Sequence, residues 1–508
     1  MQTVLAQFDA IARSRPRRVA IYWGDERIRY GEVADHIWRF GANLQAKLSF
    51  RVGDRIGIFI KNCPEFIYVL YAVLKSGAVA VPINTFLKAP EVQHIADDCQ
   101  LTALITDEAL LEVAAKVQRV RLLSLRELNG PLAKAPRFIE PDLNDLAVII
   151  YTSGTTGKAK GAMLTHANFA TNVRSCIQVL DKTENDRLTL LLPMFHSFML
   201  TVCIFTPLSI GAAMVLIKSV QPFHHAVREI IRARATILVG IPQLFQAMVH
   251  ARVPFYVHWL LNLRLAISGA APLPRETLEQ FNKKFRFPLL EGYGLSEAAP
   301  VVSFNPIHGV CKPSSVGRPI PDVEVKIFDE NDNELPPGVV GEIVVRGPNV
   351  MRGYWNQPQA NAETLRHGWL HTGDMGKMDA DGYIYIVDRK KDMLLVHGMN
   401  VYPREIEEVL HQFPGVAEAA VIGRPVEHKG ELPVAFVAPA PNTRLDQKDL
   451  LRHCREHLAD YKVPREIHIL DKLPRTATGK ITKLELRNLL AHPNSVVPAT
   501  TVSFKLAE

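Results

Sequence analysis

Residues 151–161 read YTSGTTGKAKG, directly behind the apolar stretch Leu146–Ile150. Glycines let a backbone turn tightly and come close to a ligand. The Ser and Thr hydroxyls, with Lys158 and Lys160, supply donors for an anion such as a polyphosphate. The spacing is not that of the P-loop NTPases: two residues rather than four separate Gly154 from Gly157, and Ala159 follows Lys158 where that motif needs Ser or Thr. Taken alone, such a cluster is more often a solvated turn.

Five further clusters follow in order along the chain. PMFHSF, residues 193–198, sets His196 between Phe195 and Phe198, where a lone histidine is usually a satisfied core residue. LEGYGLSEAAP, residues 290–300, has Gly292 and Gly294 to permit a tight turn after a strand that ends near Glu291. In it Tyr293 offers a flat ring for a base, and Glu297 offers oxygen to a hard cation such as Mg²⁺. The third glycine of a GxGxxG fingerprint is missing. HTGDMG, residues 371–376, places Asp374 where it could accept from a ribose diol, although an Asx turn is the plainer reading. The charge run Arg389–Lys391 reads as solvated, and Lys480, behind Gly479 in PRTATGKI, reads singly as a surface lysine. Each cluster is modest by itself; together, in this order, they form a specific pattern.

The elements that must position these residues can be read around them. A chain of 508 residues exceeds one typical core, so two or more domains are expected. A net charge of +7 suits anionic ligands, but it is spread along the chain, and no basic, aromatic-laced run supports nucleic-acid binding. Six scattered cysteines without a CxxC pair argue against a zinc site or disulfide framework and for a reducing, cytoplasmic compartment. The N-terminus lacks the continuous apolar core of a signal peptide. Leu188–Ile217 runs thirty residues without Lys, Arg, Asp or Glu, long enough to span a bilayer. Pro193, Pro207, Ser209 and Gly211 interrupt it, so a buried helix plus strand is expected, with shallow membrane contact for a lipid substrate left open.

Up to about residue 388, short β-rich runs alternate with helical patterns. Arg55–Ile60, Val79–Asn84, Thr236–Gly240, Leu263–Ser268 and Pro288–Glu291 read as strands, and Glu65–Lys75 as a helix. Such alternation predicts an α/β fold, with a large N-terminal domain of packed, mostly parallel sheets and helices over residues 1–388. Ligands of such sheets gather beyond the carboxyl ends of strands, where the loops after Ile150, Ile267 and Leu290 lie. A polar hinge at 389–392 then leads to a small, mobile α+β C-terminal lid domain at 393–491 and a loose tail at 492–508. In the lid, Pro403–His411 and Gln447–Ala459 read as helices, and Ala419–Gly423 and Val434–Val437 as extended.

From about residue 8 to 488 the chain resembles the adenylate-forming (AMP-binding) superfamily of acyl-CoA synthetases, peptide-synthetase adenylation domains and luciferases. YTSGTTGKAKG, SGAAPLP (268–274), EGYGLSEAAP, GEIVVRGPNVMRGYWN (341–356), HTGDMG, DRKKDMLLVHGMNVYPREIE (388–407) and LPRTATGKI (473–481) carry the likeness. The resemblance implies two half-reactions: a carboxylate and ATP give acyl-AMP and pyrophosphate, and a thiol, normally CoA, then displaces AMP. It implies that Thr152, Ser153, Gly154, Thr155, Thr156 and Lys160 hold the ATP phosphates. Gly269 and Ala270 would border the adenine and acyl sites, Glu291, Gly292 and Tyr293 would flank the base, and Ser296 would touch the α-phosphate. Glu297 would help to hold Mg²⁺, Asp374 and Arg389 would bind the ribose, and His196 would line the acyl pocket. Lys480 would bridge the carboxylate and α-phosphate. Gly398, with His397, would flank the pantetheine tunnel once the lid turns about Lys391.

Departures refine the resemblance. Ala159 stands where proline is usual before Lys160, and Ser296 stands where threonine is commoner. At Leu395 many aryl-CoA ligases carry lysine, whereas fatty acyl-CoA synthetases resemble the Leu-Leu-Val of this chain. With the uncharged segment 188–217, this implies a fatty acid rather than an amino acid, an aryl acid being the alternative. No carrier domain is seen after residue 490, so an acyl carrier protein replacing CoA would act in trans. A catalytically silent acyl or nucleotide sensor is the competing class, and retention of Glu297, Asp374, Arg389 and Lys480 speaks against it. The oligomeric state stays open, a dimer being compatible.

Overall fold

The computed structural model describes residues 1–491 apart from 50, 132–133, 154–158, 220–222, 252–259, 397–398, 427–429, 441–442 and 476–480, with the backbone alone at 153, 223 and 430. The chain forms two compact units. The first comprises Met1–Leu273, Thr277–Val325 and Val344–Thr372, and the second comprises Pro274–Glu276, Lys326–Ile343 and the described residues from Gly373 on. The second unit thus takes in chain upstream of Asp388.

Among the described residues, nine strands of the first unit form one sheet. Its edge-to-edge order is Arg318–Pro319, Val301–Phe304, Leu289–Gly294, Leu265–Ser268, Ile237–Gly240, Arg187–Leu190, Ala213–Leu216, Val19–Trp23 and Glu26–Arg29. The run from Leu289–Gly294 to Val19–Trp23 is parallel, and antiparallel strands close both edges. A second sheet orders Gly353–Tyr354, Ala159–Thr165, Leu146–Ser153, Val79–Pro82, Arg55–Phe59, Ala103–Thr106 and Arg121–Ser124, parallel from Leu146–Ser153 onward. Parallel strands covered on both faces need apolar residues at every position rather than at alternate ones. Leu265, Ala266 and Ile267 meet that requirement, each being at most 2% exposed.

The uncharged stretch folds as strand, helix, strand. Arg187–Leu190 leads to a π-helical segment Met199–Phe205, which continues as the α-helix Thr206–Ile210 and then the strand Ala213–Leu216. Every residue of Met199–Phe205 is buried. The helix stops at Gly211, whose φ of +81° is cheap only for glycine. Among the described residues no helix is long and apolar enough to cross a membrane. The six cysteines are free.

In the second unit, Met399–Val401, Leu394–Val396, Gly430–Pro439 and Val416–Val426 lie in that order, with Glu466–Ile469 pairing parallel to Gly430–Pro439. The period-two alternation of a strand separates two small cores here. Ala419, Val421, Ala435 and Val437 pack with Ile406 and Leu450, while Ala420, Ile422, Val434 and Phe436 pack with Leu486. The helix Pro403–Gln412 has proline at its start and is capped from a distance: Asp388 Oδ2 accepts from Arg404 N at 2.8 Å. Burial pushes the Asp388 carboxyl above its ordinary value, against the pull of Lys483.

Candidate active site

In the first unit, Leu146–Ser153 and Ala159–Thr165 form an antiparallel hairpin with Thr152 opposite Lys160. Its tip, with the expected phosphate contacts Gly154, Thr155 and Thr156, lies outside the described residues, as does the Ser153 side chain. Opposite residues in such a pair share a face, so the Thr152 hydroxyl and the Lys160 ammonium are presented together. Gly353–Tyr354 adds to this hairpin on its far edge, with Tyr354 opposite Ala162.

Glu297 meets this group from the other sheet. Its Oε1 accepts from Tyr354 Oη at 2.9 Å and from Thr152 Oγ1 at 3.3 Å. Lys160 Nζ stands 5.5 Å from the Tyr354 ring centroid, within cation–π reach. Two donors on one oxygen fix the carboxylate, and no hydrogen bond or ion pair among the described residues uses Oε2. The donor set is oxygen throughout and half-buried, which fits Mg²⁺: that ion takes one or two protein carboxylates and completes its shell from phosphates and water. Ser296 lies one residue earlier, its Oγ 3.2 Å from Ser197 Oγ. His196 precedes Ser197, with its ring 4.4 Å from that of Phe195.

The glycines of EGYG do not make the expected turn. Gly292 and Gly294 lie inside the strand Leu289–Gly294. A Cβ at Gly292 would lie 2.6 Å from Phe304 Cδ2, and one at Gly294 would lie 2.3 Å from Pro300 O. Close strand approach demands them, and the turn itself is made by Ala299 at φ +63°. Tyr293 is 9% exposed in the same strand. Glu291 is buried, and its Oε1 accepts from Leu273 N at 2.9 Å, tying the loop after Ser268 to this strand. In that loop Gly269 faces the Phe198 ring, where a Cβ would come within 3.1 Å, and Ala270 is left-handed at φ +67°.

HTGDMG is likewise not a turn. It belongs to the strand Trp369–Met378, and Asp374 pairs in register with Arg389 of Ile384–Arg389. A strong ladder partner overrides the local turn propensity of Gly and Asp. Within the second unit Asp374 is 3% exposed, and its Oδ1 lies 2.5 Å from Arg389 Nε. Arg389 stays about half exposed, and the exposed Lys391 follows in the short 3₁₀ turn Lys390–Asp392. Lys480, Gly398 and His397 lie outside the described residues.

Three contributors escape a reading of the sequence. Tyr354 sits inside the quoted GEIVVRGPNVMRGYWN run, the one signal that could have singled it out. Ser197 was visible only as the neighbour of His196. Glu342 accepts from Gly373 N at 3.0 Å and Lys390 Nζ at 3.2 Å, steadying the backbone beside Asp374.

Comparison with known proteins adds a separate line of support. The family model described as AMP-binding enzyme matches residues 8–355, and that of the AMP-binding enzyme C-terminal domain matches 405–480. A feruloyl-CoA synthase of Amycolatopsis is 37% identical, covering 94% of this chain and 96% of its own. A long-chain-fatty-acid–CoA ligase of Bacillus subtilis is 33% identical over 96% of this chain and 94% of its own. The solved o-succinylbenzoate coenzyme A synthetase of Bacillus subtilis, in complex with ATP and magnesium ion, superimposes with a TM-score of 0.86 at 30% identity, covering 96% of this chain and 99% of its own.

Proposed function

The chain belongs to the AMP-binding enzymes and is an acid–CoA ligase of the AMP-forming kind, and we propose that its acid is a fatty acid. The observation that carries the chemistry is the meeting of Thr152 and Tyr354 on Glu297, with Lys160 over the Tyr354 ring, beyond the carboxyl ends of parallel strands from two sheets. The wholly buried, uncharged segment Met199–Phe205, which begins three residues after His196, supports an apolar acyl chain.

In the first half-reaction, two anions must meet, the substrate carboxylate and the α-phosphate of ATP, so the barrier is repulsion and misalignment. Mg²⁺, when bound, neutralises phosphate charge and polarises the phosphorus–oxygen bonds. Glu297, fixed by Tyr354 and Thr152, would hold the cation, and Ser296 would orient the α-phosphate. Thr152–Thr156 and Lys160 hold the pyrophosphate that leaves. Asp374 and Arg389 take the ribose hydroxyls, and Lys480 brings the substrate carboxylate to the α-phosphorus. His196 borders the reacting carboxylate. A turn of the 393–491 lid about 389–392 then withdraws Lys480 and brings Gly398 to the pantetheine arm of CoA for thioester formation.

Acid-dependent exchange of pyrophosphate into ATP, run on acids from C2 to C18 with benzoate, coumarate and ferulate, tests both levels. The expected result is fastest exchange with the longer fatty acids and AMP release on adding CoA. No exchange with any acid sinks the ligase reading. Ferulate or coumarate leading the panel establishes the second reading, a hydroxycinnamic acid ligase, which the 37% relative favours. Offering a holo carrier protein in place of CoA separates the two acceptors.

A further inference from the structure

The turn that carries Ser296 and Glu297 is held almost entirely by its backbone carbonyls, and by side chains that no catalytic role accounts for. Met351 N donates to Glu297 O at 2.8 Å. Asn349 Nδ2 donates to Ala298 O at 2.9 Å and to Val301 O at 3.2 Å. Thr201 Oγ1 donates to Ala299 O at 2.8 Å, and Asn172 Nδ2 to Val301 O at 2.7 Å. Thr201, Asn349 and Asn172 are wholly buried. Ala299, the residue Thr201 grips, is a non-glycine in the left-handed region, a conformation that persists only where the surroundings impose it.

Thr201 is set for this by an unusual piece of helix. Met199–Phe205 is π-helical, and the Thr201 carbonyl accepts both the backbone N–H and the hydroxyl of Thr206, the latter at 2.6 Å. A helical threonine ordinarily turns its hydroxyl back to the carbonyl four residues earlier. Here the hydroxyl is spent instead across the core on Ala299. Ser197, four residues before Thr201 and so on the same helical face, meets Ser296. One face of one segment therefore grips both ends of the turn.

We propose that Thr201 is a positioning residue for adenylation: through Ala299 O it sets where Ser296 and Glu297 stand, with Asn349 securing the carbonyl next to it. The proposal rests on the reading of this turn as the α-phosphate and Mg²⁺ site. Thr201→Val keeps the shape and removes the donor; Thr201→Ser keeps the donor and removes a methyl.

The test measures acid-dependent pyrophosphate exchange against Mg²⁺ and ATP concentration, thioester formation from preformed acyl-AMP, and Tm for each variant. For Thr201→Val the expected result is kcat for exchange down about tenfold, as for the loss of one buried hydrogen bond, with half-saturating Mg²⁺ raised. Thioester formation should stay within about twofold, and Thr201→Ser should recover exchange to within about threefold of wild type. Wild-type exchange and Mg²⁺ dependence in a folded Thr201→Val overturn the proposal. So does equal loss in Thr201→Ser, which points to packing of the methyl, or equal loss in both half-reactions. Should Thr201→Val not fold, Thr201→Ala against Thr201→Ser gives the same contrast. A wild-type protein without any acid-dependent exchange overturns the ligase reading instead.

Discussion

Glu297 and Asp374 are both carboxylates with a proposed part in nucleotide binding, yet the chain builds their surroundings by different means. Glu297 is half-buried in the first unit and takes its donors from Thr152 and Tyr354, 145 and 57 residues away in sequence. Asp374 is nearly inaccessible in the second unit and meets Arg389 across an antiparallel pair. The first arrangement exists only when strands from two sheets are in place. The second needs little more than one hairpin. Non-local wiring fixes the Glu297 carboxylate in one geometry, which suits the cation role proposed for it, whereas the half-exposed Arg389 guanidinium stays accessible, which suits the ligand role proposed for that pair.

That contrast can be broken most forcefully at Lys480. Lys480→Ala is expected to slow adenylation by about two to three decades, the scale of losing a key charge-stabilising donor, and to leave thioester formation from preformed acyl-AMP far less affected. Single-turnover assays of the two half-reactions check it, and equal loss in both would end the division of labour between the units. At the non-local cluster, Tyr354→Phe removes one donor to the Glu297 carboxylate. Hydrogen bonds to charged groups are worth about 1.5–3 kcal/mol, so adenylation should fall about tenfold or more, with half-saturating Mg²⁺ raised. An unchanged Mg²⁺ titration would show that Glu297 does not hold the metal.

The hairpin pair should behave oppositely. Arg389 is half exposed but Asp374 is 3% exposed, so Arg389→Ala would strand a buried carboxylate. Arg389→Lys keeps the charge, loses the planar fork, and should leave Tm within about 2 °C of wild type. The KM for ATP should rise several-fold. A large drop in Tm with unchanged KM would make the pair structural. The last prediction concerns acid. His166 is buried, and desolvation pushes its pKa down to about 4, against a raising effect of Asp145. The unfolded chain takes up this proton near pH 6.5 and the folded chain only near 4, so between these values the unfolded state binds more protons. Stability is therefore full above about pH 6.5 and is lost as pH falls toward 4. Urea midpoints from pH 7 to 4.5 should show this slope, and His166→Gln should flatten it.

Elements whose chemistry is local are legible in the sequence. The strands Arg55–Phe59, Leu265–Ser268 and Ile237–Gly240 lie where apolar runs bounded by breakers placed them. The helices Pro64–Lys75 and Pro403–Gln412 start at their prolines. A residue that serves a distant partner is not legible in this way, because local sequence cannot name that partner. Gly292 and Gly294 signal a turn, but Phe304 and Pro300 require them as strand residues. Asp374 between glycines signals an Asx turn, and pairing with Arg389 makes it a strand residue instead. Tyr354, Ser197, Thr201 and Asn349 carry no signal of their own, because each acts through a contact made only after folding.

Sequence by itself determined the class of chemistry. The ordered clusters, with their hydroxyls, glycines, Glu297, Asp374, Arg389 and Lys480, carry the resemblance to adenylate-forming enzymes that implies a nucleotide and an acid, since residue type and spacing are covalent facts that survive unfolding. Only the tertiary structure decided which oxygen of Glu297 accepts from Thr152 and Tyr354. It alone decided that a tyrosine from residue 354 and a threonine from residue 201 support one turn. Those choices depend on hydrogen bonds a few ångströms long between residues far apart in the chain, and no periodicity encodes them.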